Sequence, residues 1–513
     1  MKLVAQNSFG LILLIGALML SYFTYKDYGL SSDEHLQHKL GEYSYKYVFE
    51  NDPTYTWYGD NDYGVATELP LYFIVDVVLG KTSLPEIFKT RHIILHNLFL
   101  LAVFVFYSLA KRLLKSNWLA ILGALMLLLH PRIYAHSFFN SKDLPLLSFT
   151  IFGLYILFRY IENRKTIWLI LLAIISALII NNRIIGLMFF ATSIAMFFIE
   201  FGFKTDKSKT VKSTVVYGVI TALMLYVTWP ILWKQPFYRL GVVFKNMAHF
   251  RWEENVLFNG EIIKATELPW NYLPYWFFVT TPIIILTMGV IGLGFVIYKS
   301  AKKIKSLVND NQLYFTVLNV ILFVMPIIAI IVLKSVVYDG WRHVYFIYPS
   351  FILIAIFSIQ KLFKENVNKA TILVVALLML ETLPFMLKNH PNQQVYFNAF
   401  INKDEDLKNR MEFEYWGLSY RGALEYILQN DDRDSIVIAY ETAVCKKNTD
   451  VLLEQQKQRL IFTKDIDSAN YFITNYRWHM VKDSSYSETL KTQPFYDLKY
   501  KETSIMTTWK LDE

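Results

Sequence analysis

A succession of apolar runs constrains this chain more than any other feature. About eleven of them approach the roughly 17–25 residues that a helix needs to cross a bilayer. They lie near 7–26, 92–113, 118–135, 144–160, 166–181, 184–202, 213–233, 272–298, 312–333, 343–360 and 369–388. Several are short, and the stretch 118–202 divides in more than one way. Charged residues make up 18% of the chain, against about a quarter in a soluble domain. The fold class predicted is therefore mainly α, a polytopic membrane protein of about eleven transmembrane helices.

The connections between runs set the orientation. Lys111, Arg112 and Lys115 form one basic loop, and Arg159, Arg164 and Lys165 the next on the same side. Lys204, Lys207, Lys209 and Lys212 follow, then Lys299, Lys302, Lys303 and Lys305, and finally Lys361, Lys364 and Lys369. Every second loop is short and basic, which predicts that these face the cytoplasm. The longer loops, 27–91 and 234–271, then face outward. The net charge of +8 is spread over these clusters, so it reads as attraction to an anionic leaflet and not as a nucleic-acid surface. The single cysteine, Cys445, excludes an internal disulfide. The first run has no small-residue cleavage site after it, so it is read as a retained helix.

From about Asn389 no apolar run remains. Short β patterns at 435–440, 459–463, 471–476 and 504–511 alternate with helical patterns at 420–429 and 451–457. Residues 389–513 are thus predicted to form a small soluble α/β domain on the outer face. Residues 1–388 form the membrane domain.

Polar groups cluster in the outer loops. Asp33 and Glu34 follow the first run at once, where carboxylates can take a proton from a hydroxyl or hold a cation, or simply begin a solvated loop. The second outer loop carries His130, Arg132, His136, Asn140 and Asp143 between two apolar runs. Such groups at membrane depth face a cavity, or else cap helices and snorkel to the interface; Asp143 itself can be a helix N-cap. Asn182 and Arg183 lie between two further runs, with Arg183 able to fork onto a phosphate or anchor the interface. Arg91 opens the second run, with His92 and His96 a turn apart beyond it. Arg342 and His343 precede Tyr348 and Pro349, as phosphate or sugar ligands or as an interfacial belt. No phosphate-binding glycine loop, dinucleotide fingerprint or Cys/His zinc pattern is present.

In order and in side of the membrane, these residues resemble the family 39 branch of GT-C glycosyltransferases, which includes protein O-mannosyltransferases and aminoarabinose transferases of lipid A. The resemblance runs over about residues 1–388. It rests on Asp33 and Glu34, on Arg91, on His130, Pro131 and Arg132 with Asn140 and Asp143, on Asn182, Arg183 and Gly186, and on Arg342 and His343. A stretch from His390 to Asn398, and another from Glu414 to Tyr420, resemble uncharacterised bacterial members. The C-terminal domain does not resemble the sugar-binding module of the eukaryotic mannosyltransferases, so no substrate carries over.

The resemblance implies an enzyme of the cytoplasmic membrane of a bacterium that moves a sugar from a polyprenyl-phosphate carrier to a glycan, lipid or protein acceptor on the outer face, with inversion. It implies Asp33 as the base, with Glu34 and Asp143 as further catalytic carboxylates. Arg91, Arg183, Arg342 and His343 are then donor-phosphate ligands, and His130, Arg132, His136, Asn140 and Asn182 line the acceptor cavity. A divalent cation on Glu34 or Asp143 would be a possible cofactor. Two alternatives stand beside this reading. A lipid or solute transporter would carry two related halves, and no second half matches the first. An inactive scaffold with an outer sensor domain would be expected to lack the outer carboxylates.

Overall fold

The computed structural model describes residues 8–203, 206–248, 252, 254–401, 407–477 and 493–511. Lys204, predicted in a basic loop, lies outside them. The chain is mainly helical, and helices coincide with each apolar run. Among the described residues, seven helices are long and apolar enough to cross a membrane, or eight if the bent pair Asn117–Leu128 and Pro131–Phe139 is one span. The expected count of eleven is not confirmed on that measure. Ser8–Thr24 and Thr166–Asn182 have only 17 residues each, and Arg342–Lys388 is counted as one run although 3-10 turns break it before Tyr348–Phe363 and before Val367–Lys388.

Proline explains where spans break. Pro131 opens Pro131–Phe139 at 64° to the preceding helix, and Pro282 separates Tyr272–Thr280 from Ile283–Lys302, which the sequence reads as one span. Outer faces remain apolar. On Lys207–Thr228 the residues Val211, Val215, Val219, Leu223 and Val227, each four apart, are all exposed, as a lipid-facing stripe requires.

The helices place the two kinds of loop at opposite ends of the bundle. Asp143 begins the helix that ends at Asn163, and Arg183 follows the helix that returns from Thr166. The basic end is tied by Arg112 to Glu162 at 2.7 Å and by Gln312 and Gln360 donating to the carbonyls of Leu113 and Leu114.

The first long loop is helical: Glu34–Phe49, a 3-10 turn Pro53–Trp57, and Glu68–Tyr72 running into a π turn at Phe73–Val78. The loop 234–271 holds an amphipathic helix, Pro236–Ala248, and a hairpin of β1 (Asn255–Phe258) and β2 (Glu261–Lys264), which the sequence reading missed. After Lys388 the chain does not leave the bundle at once. Asn398 donates to the carbonyls of Phe278 and Thr281, and Val395 and Phe397 are fully buried.

The sheet then comprises β3 (Ile436–Tyr440), β4 (Leu460–Thr463), β5 (Tyr471–Thr474), β6 (Tyr496–Tyr500) and β7 (Thr503–Lys510), in the order β4-β3-β5-β7-β6. β4, β3 and β5 are parallel, whereas β7 is antiparallel to both β5 and β6. Helix Tyr420–Asn430 buries Leu424, Ile427 and Leu428 against it. Tyr500 and Ile505 belong to the same apolar core as the spans, so the sheet is packed onto the bundle.

Candidate active site

Two of the clefts at the non-basic end of the bundle are lined by predicted site residues. One, of about 1010 Å³, is walled mainly by apolar side chains such as Leu187, Met188, Phe244, Ile330 and Leu333, and it ends at Arg183 and His343. The other, of about 970 Å³, is lined by polar groups that include Asp33, Lys142, Asp339, Arg342 and Arg477. Tyr63 and Tyr338 line both, so the clefts meet there.

Asp33 stands at the start of Glu34–Phe49, and its Oδ2 lies 2.6 Å from Lys142 Nζ. Burial opposes the charge of Asp33. Lys142 and then Arg342 outweigh that penalty and hold its carboxyl below the usual range. Burial likewise opposes the charge of Lys142, and the facing Asp33 carboxylate lifts its pKa above that of an ordinary lysine.

Asp143 sits between two arginines. Its Oδ1 pairs with Arg183 and its Oδ2 lies 3.3 Å from Arg342. Asn140 fixes it further, donating to Oδ2 at 2.9 Å and accepting from the Asp143 amide at 2.9 Å. Asn140, not Asp143, therefore caps this turn, since its Oδ1 also accepts from the Lys142 amide. Arg342 also reaches Asp339 at 3.1 Å and lies over the rings of Tyr338 and Trp416. His343 is nearly buried, with no hydrogen-bond partner for Nδ1 among the described residues, and borders the apolar cleft beside Arg183.

Other predicted site residues lie apart from this cluster. Glu34 turns inward: Oε2 accepts from the Ser31 amide and Oε1 lies 2.6 Å from His92 Nε2. Arg91 pairs with Glu68 at 2.7 Å, both almost fully buried, and so locks the first loop onto the second span. His130 accepts weakly from the Ile133 amide as a helix cap. Arg132 donates from Nε to the Tyr396 carbonyl and stacks on Phe397, which anchors the chain after the last span. His136 meets Asn140 on one side and Trp416 on the other. Asn182 accepts from Thr67 and donates to the Lys142 carbonyl. Its neighbour Asn181 holds the Val65 amide, and Gly64 packs so closely that a Cβ there would overlap the Asn181 carbonyl oxygen. His136 and Asn182 thus support the cluster from behind and do not line the clefts.

Glu34 and Asp143, the carboxylates expected to hold a divalent ion, are not disposed to do so. Both oxygens of Glu34 and both of Asp143 are engaged by N–H donors, and among the described residues no group of three or more His, Cys, Asp or Glu side chains is disposed to hold a metal. Positive charge at the site comes instead from Lys142, Arg183 and Arg342.

Sequence reasoning passed over Lys142, Tyr63, Tyr338, Asp339 and Arg477. The crowding of polar groups around Lys142 was a usable signal, as was the aspartate three residues before Arg342. Arg477 carried none, because only the docking of the sheet brings it here.

With the site in view, the fold is similar to that of the GT-C membrane glycosyltransferases. Over 91% of its length it superposes on 69% of the Archaeoglobus fulgidus oligosaccharyltransferase, solved tethered to an acceptor peptide containing the NVT sequon, with a TM-score of 0.51 at 11% identity. ArnT from Cupriavidus metallidurans, solved bound to undecaprenyl phosphate, matches at a TM-score of 0.46 and 11% identity over 97% of each chain. Residues 92–233 match the family described as dolichyl-phosphate-mannose-protein mannosyltransferase. The chain is thus similar to GT-C glycosyltransferases of the family 39 kind. No curated protein matches it in sequence.

Proposed function

We propose that the protein transfers a sugar from a polyprenyl-phosphate carrier to an acceptor hydroxyl at the outer face of its membrane, with inversion. The observation that carries this reading is the meeting of an apolar cleft and a polar cleft at Tyr63 and Tyr338, with Arg183 and His343 at the end of the apolar one and Asp33 in the polar one among Lys142, Arg342 and Arg477. An isoprenoid chain fits the apolar cleft by burial of its own surface. Its phosphate then reaches Arg183 and His343, which supply charge-assisted and neutral hydrogen bonds to an oxyanion. The acceptor enters through the polar cleft, and its hydroxyl gives its proton to Asp33. The freed oxygen pair bonds to the anomeric carbon as the bond from that carbon to the phosphate oxygen breaks. The phosphate leaves on the lipid with the bonding electrons. A single displacement of this kind inverts the centre.

The matched family's name joins a dolichyl-phosphate-linked sugar to a protein acceptor. The carrier class is taken from it, whereas the sugar and the acceptor are left open. The outer-face assignment rests on the basic loops lying at the opposite end of the bundle from the clefts.

The test is to incubate the purified protein with polyprenyl-phosphate hexoses, pentoses and aminopentoses and a cell-envelope extract. Release of polyprenyl phosphate, with the sugar recovered on an acceptor, is expected for one of them. No binding and no release with any carrier would overturn the proposal, and lipid flux without bond cleavage would favour a transporter.

A further inference from the structure

Six side chains, acidic and basic in alternation, run from the sheet domain to the apolar cleft. Glu412 Oε1 lies 3.2 Å from Arg477 NH1, and Arg477 NH1 lies 2.7 Å from Asp339 Oδ1. Asp339 Oδ2 is 3.1 Å from Arg342 NH2, Arg342 NH1 is 3.3 Å from Asp143 Oδ2, and Asp143 Oδ1 pairs with Arg183. No side chain in the series is more than 11% exposed. The ends belong to different parts of the molecule. Arg477 follows β5 and Glu412 follows the short helix Leu407–Arg410, whereas Arg183 stands at the end of a span and borders the proposed donor cleft.

We infer that Arg477 is a positioning residue for the donor site, acting on Arg183 through Asp339, Arg342 and Asp143. The inference rests on the donor role proposed for Arg183. Buried charges hold one another in fixed partnership, because each one left without its counter-charge is strongly disfavoured. A change at one end therefore alters how each interior member divides itself between two neighbours. Arg477 shares Asp339 with Arg342. Without Arg477, Asp339 draws Arg342 toward itself and away from Asp143. Asp143 then closes more firmly on Arg183, which has less to offer a phosphate. Loss of the Glu412 carboxyl group has the opposite sense. Arg477 then leans on Asp339 alone, Arg342 shifts toward Asp143, and Arg183 is released toward the cleft.

This opposition of sign is the distinguishing feature. A residue that only held the sheet in place would weaken binding whichever end was altered. Through the chain, Arg477→Met weakens donor binding and Glu412→Gln strengthens it, each by roughly 2- to 30-fold, the range seen for substitutions along coupled networks. Arg477→Lys, which keeps the charge, restores most of the affinity.

The experiment uses the full-length protein in detergent and a C55 polyprenyl phosphate as probe, with binding read by native mass spectrometry and folding by thermal melting. The wild type is expected to bind, Arg183→Ala to bind poorly, and the Arg477→Met, Arg183→Ala double variant to bind no worse than Arg183→Ala alone. If Arg477→Met does not fold, Glu412→Gln decides the matter through the direction of its effect. Equal binding by wild type, Arg477→Met and Glu412→Gln, or a loss in both variants, overturns the inference while leaving the donor site intact. If the wild type itself does not bind the lipid phosphate, the proposed function fails first and this inference with it.

Discussion

Lys142 Nζ lies 2.6 Å from Asp33 Oδ2, so the lysine of the second outer loop neutralises the carboxylate of the first. The pair has consequences for a base. A carboxylate held by an ammonium is fully ionised near neutral pH, but its free electron pairs are partly engaged.

Replacement of Asp33 by Asn keeps shape and hydrogen bonding but removes basicity. Turnover is expected to fall at least about a hundredfold, the usual loss for a general base, with donor binding nearly unchanged. Single-turnover transfer and equilibrium binding of the lipid phosphate check this. Transfer at the wild-type rate would remove Asp33 from the mechanism.

The pH dependence follows from the same pair. As the proposed base Asp33 would act as carboxylate, so transfer is expected to be lost as pH falls through its pKa. In the wild type Lys142 and Arg342 hold that pKa below the usual range against the effect of burial, and the acid limb of the rate profile is expected to lie under the ordinary carboxylate value. Lys142→Met removes the main lowering influence and leaves burial and the nearby Asp143 to raise it. The limb is expected to move toward neutral pH, and Lys142→Arg should largely return it. A profile indifferent to Lys142 would show that Asp33 is not the titrating base.

Much of this was legible in the sequence, and the reasons are physical. Spans announce themselves through length and hydropathy, and the β patterns at 435–440, 459–463, 471–476 and 504–511 correspond to strands β3, β4, β5 and β7. The strand Tyr496–Tyr500 escaped because Tyr496, Asp497 and Leu498 are only half buried and Lys499 is exposed, so its pattern is weak. Within the site, Asp143, Arg183 and Arg342 were chosen separately and meet in one cluster. Glu34 and Arg91 were chosen for the same chemistry and lie elsewhere, because their partners, His92 and Glu68, were not foreseeable as pairs. Spacing along one chain says which ionisable groups share an end of the bundle. It does not say which buried charge each will find.

Arg91 and Arg183 offer a direct contrast. Arg183→Ala is expected to weaken lipid-phosphate binding by about 1.5–3 kcal/mol, some ten- to a hundredfold, as one charge-assisted contact is lost. Arg91→Ala strands Glu68 in a buried site, so its cost of about 3–5 kcal/mol falls on folding. Melting temperature and expression should drop for Arg91→Ala, with near-normal affinity in whatever protein survives. A reversal of the two phenotypes would show that the donor phosphate lies at Arg91.

Orientation is tested independently of catalysis. Reporter fusions in the loops carrying Lys115, Arg164 and Lys303 are expected to be active only in the cytoplasm, and a fusion after Glu513 only outside. A C-terminal reporter active in the cytoplasm would place both clefts on the inner face and overturn the outer-face reading.

The sheet domain can be separated from insertion, provided the cut respects the packing. The spans satisfy their own backbone hydrogen bonds, so a chain ending at Ser419 is expected to reach the membrane. It would nevertheless lack Thr442, Val444, Asn475 and Arg477, which complete the polar cleft, and transfer to the natural acceptor should be lost. A cut at Lys388 removes more: the Tyr396 carbonyl that receives Arg132, and Val395 and Phe397 from the common core. Arg132 would then be a buried cation without an acceptor, so this shorter chain should be the less stable of the two. Carbonate extraction measures insertion, melting in detergent measures stability, and transfer to envelope extract measures activity. Full transfer by the chain ending at Ser419 would mean that the membrane part alone holds the acceptor, and the contribution assigned to the sheet domain would fall.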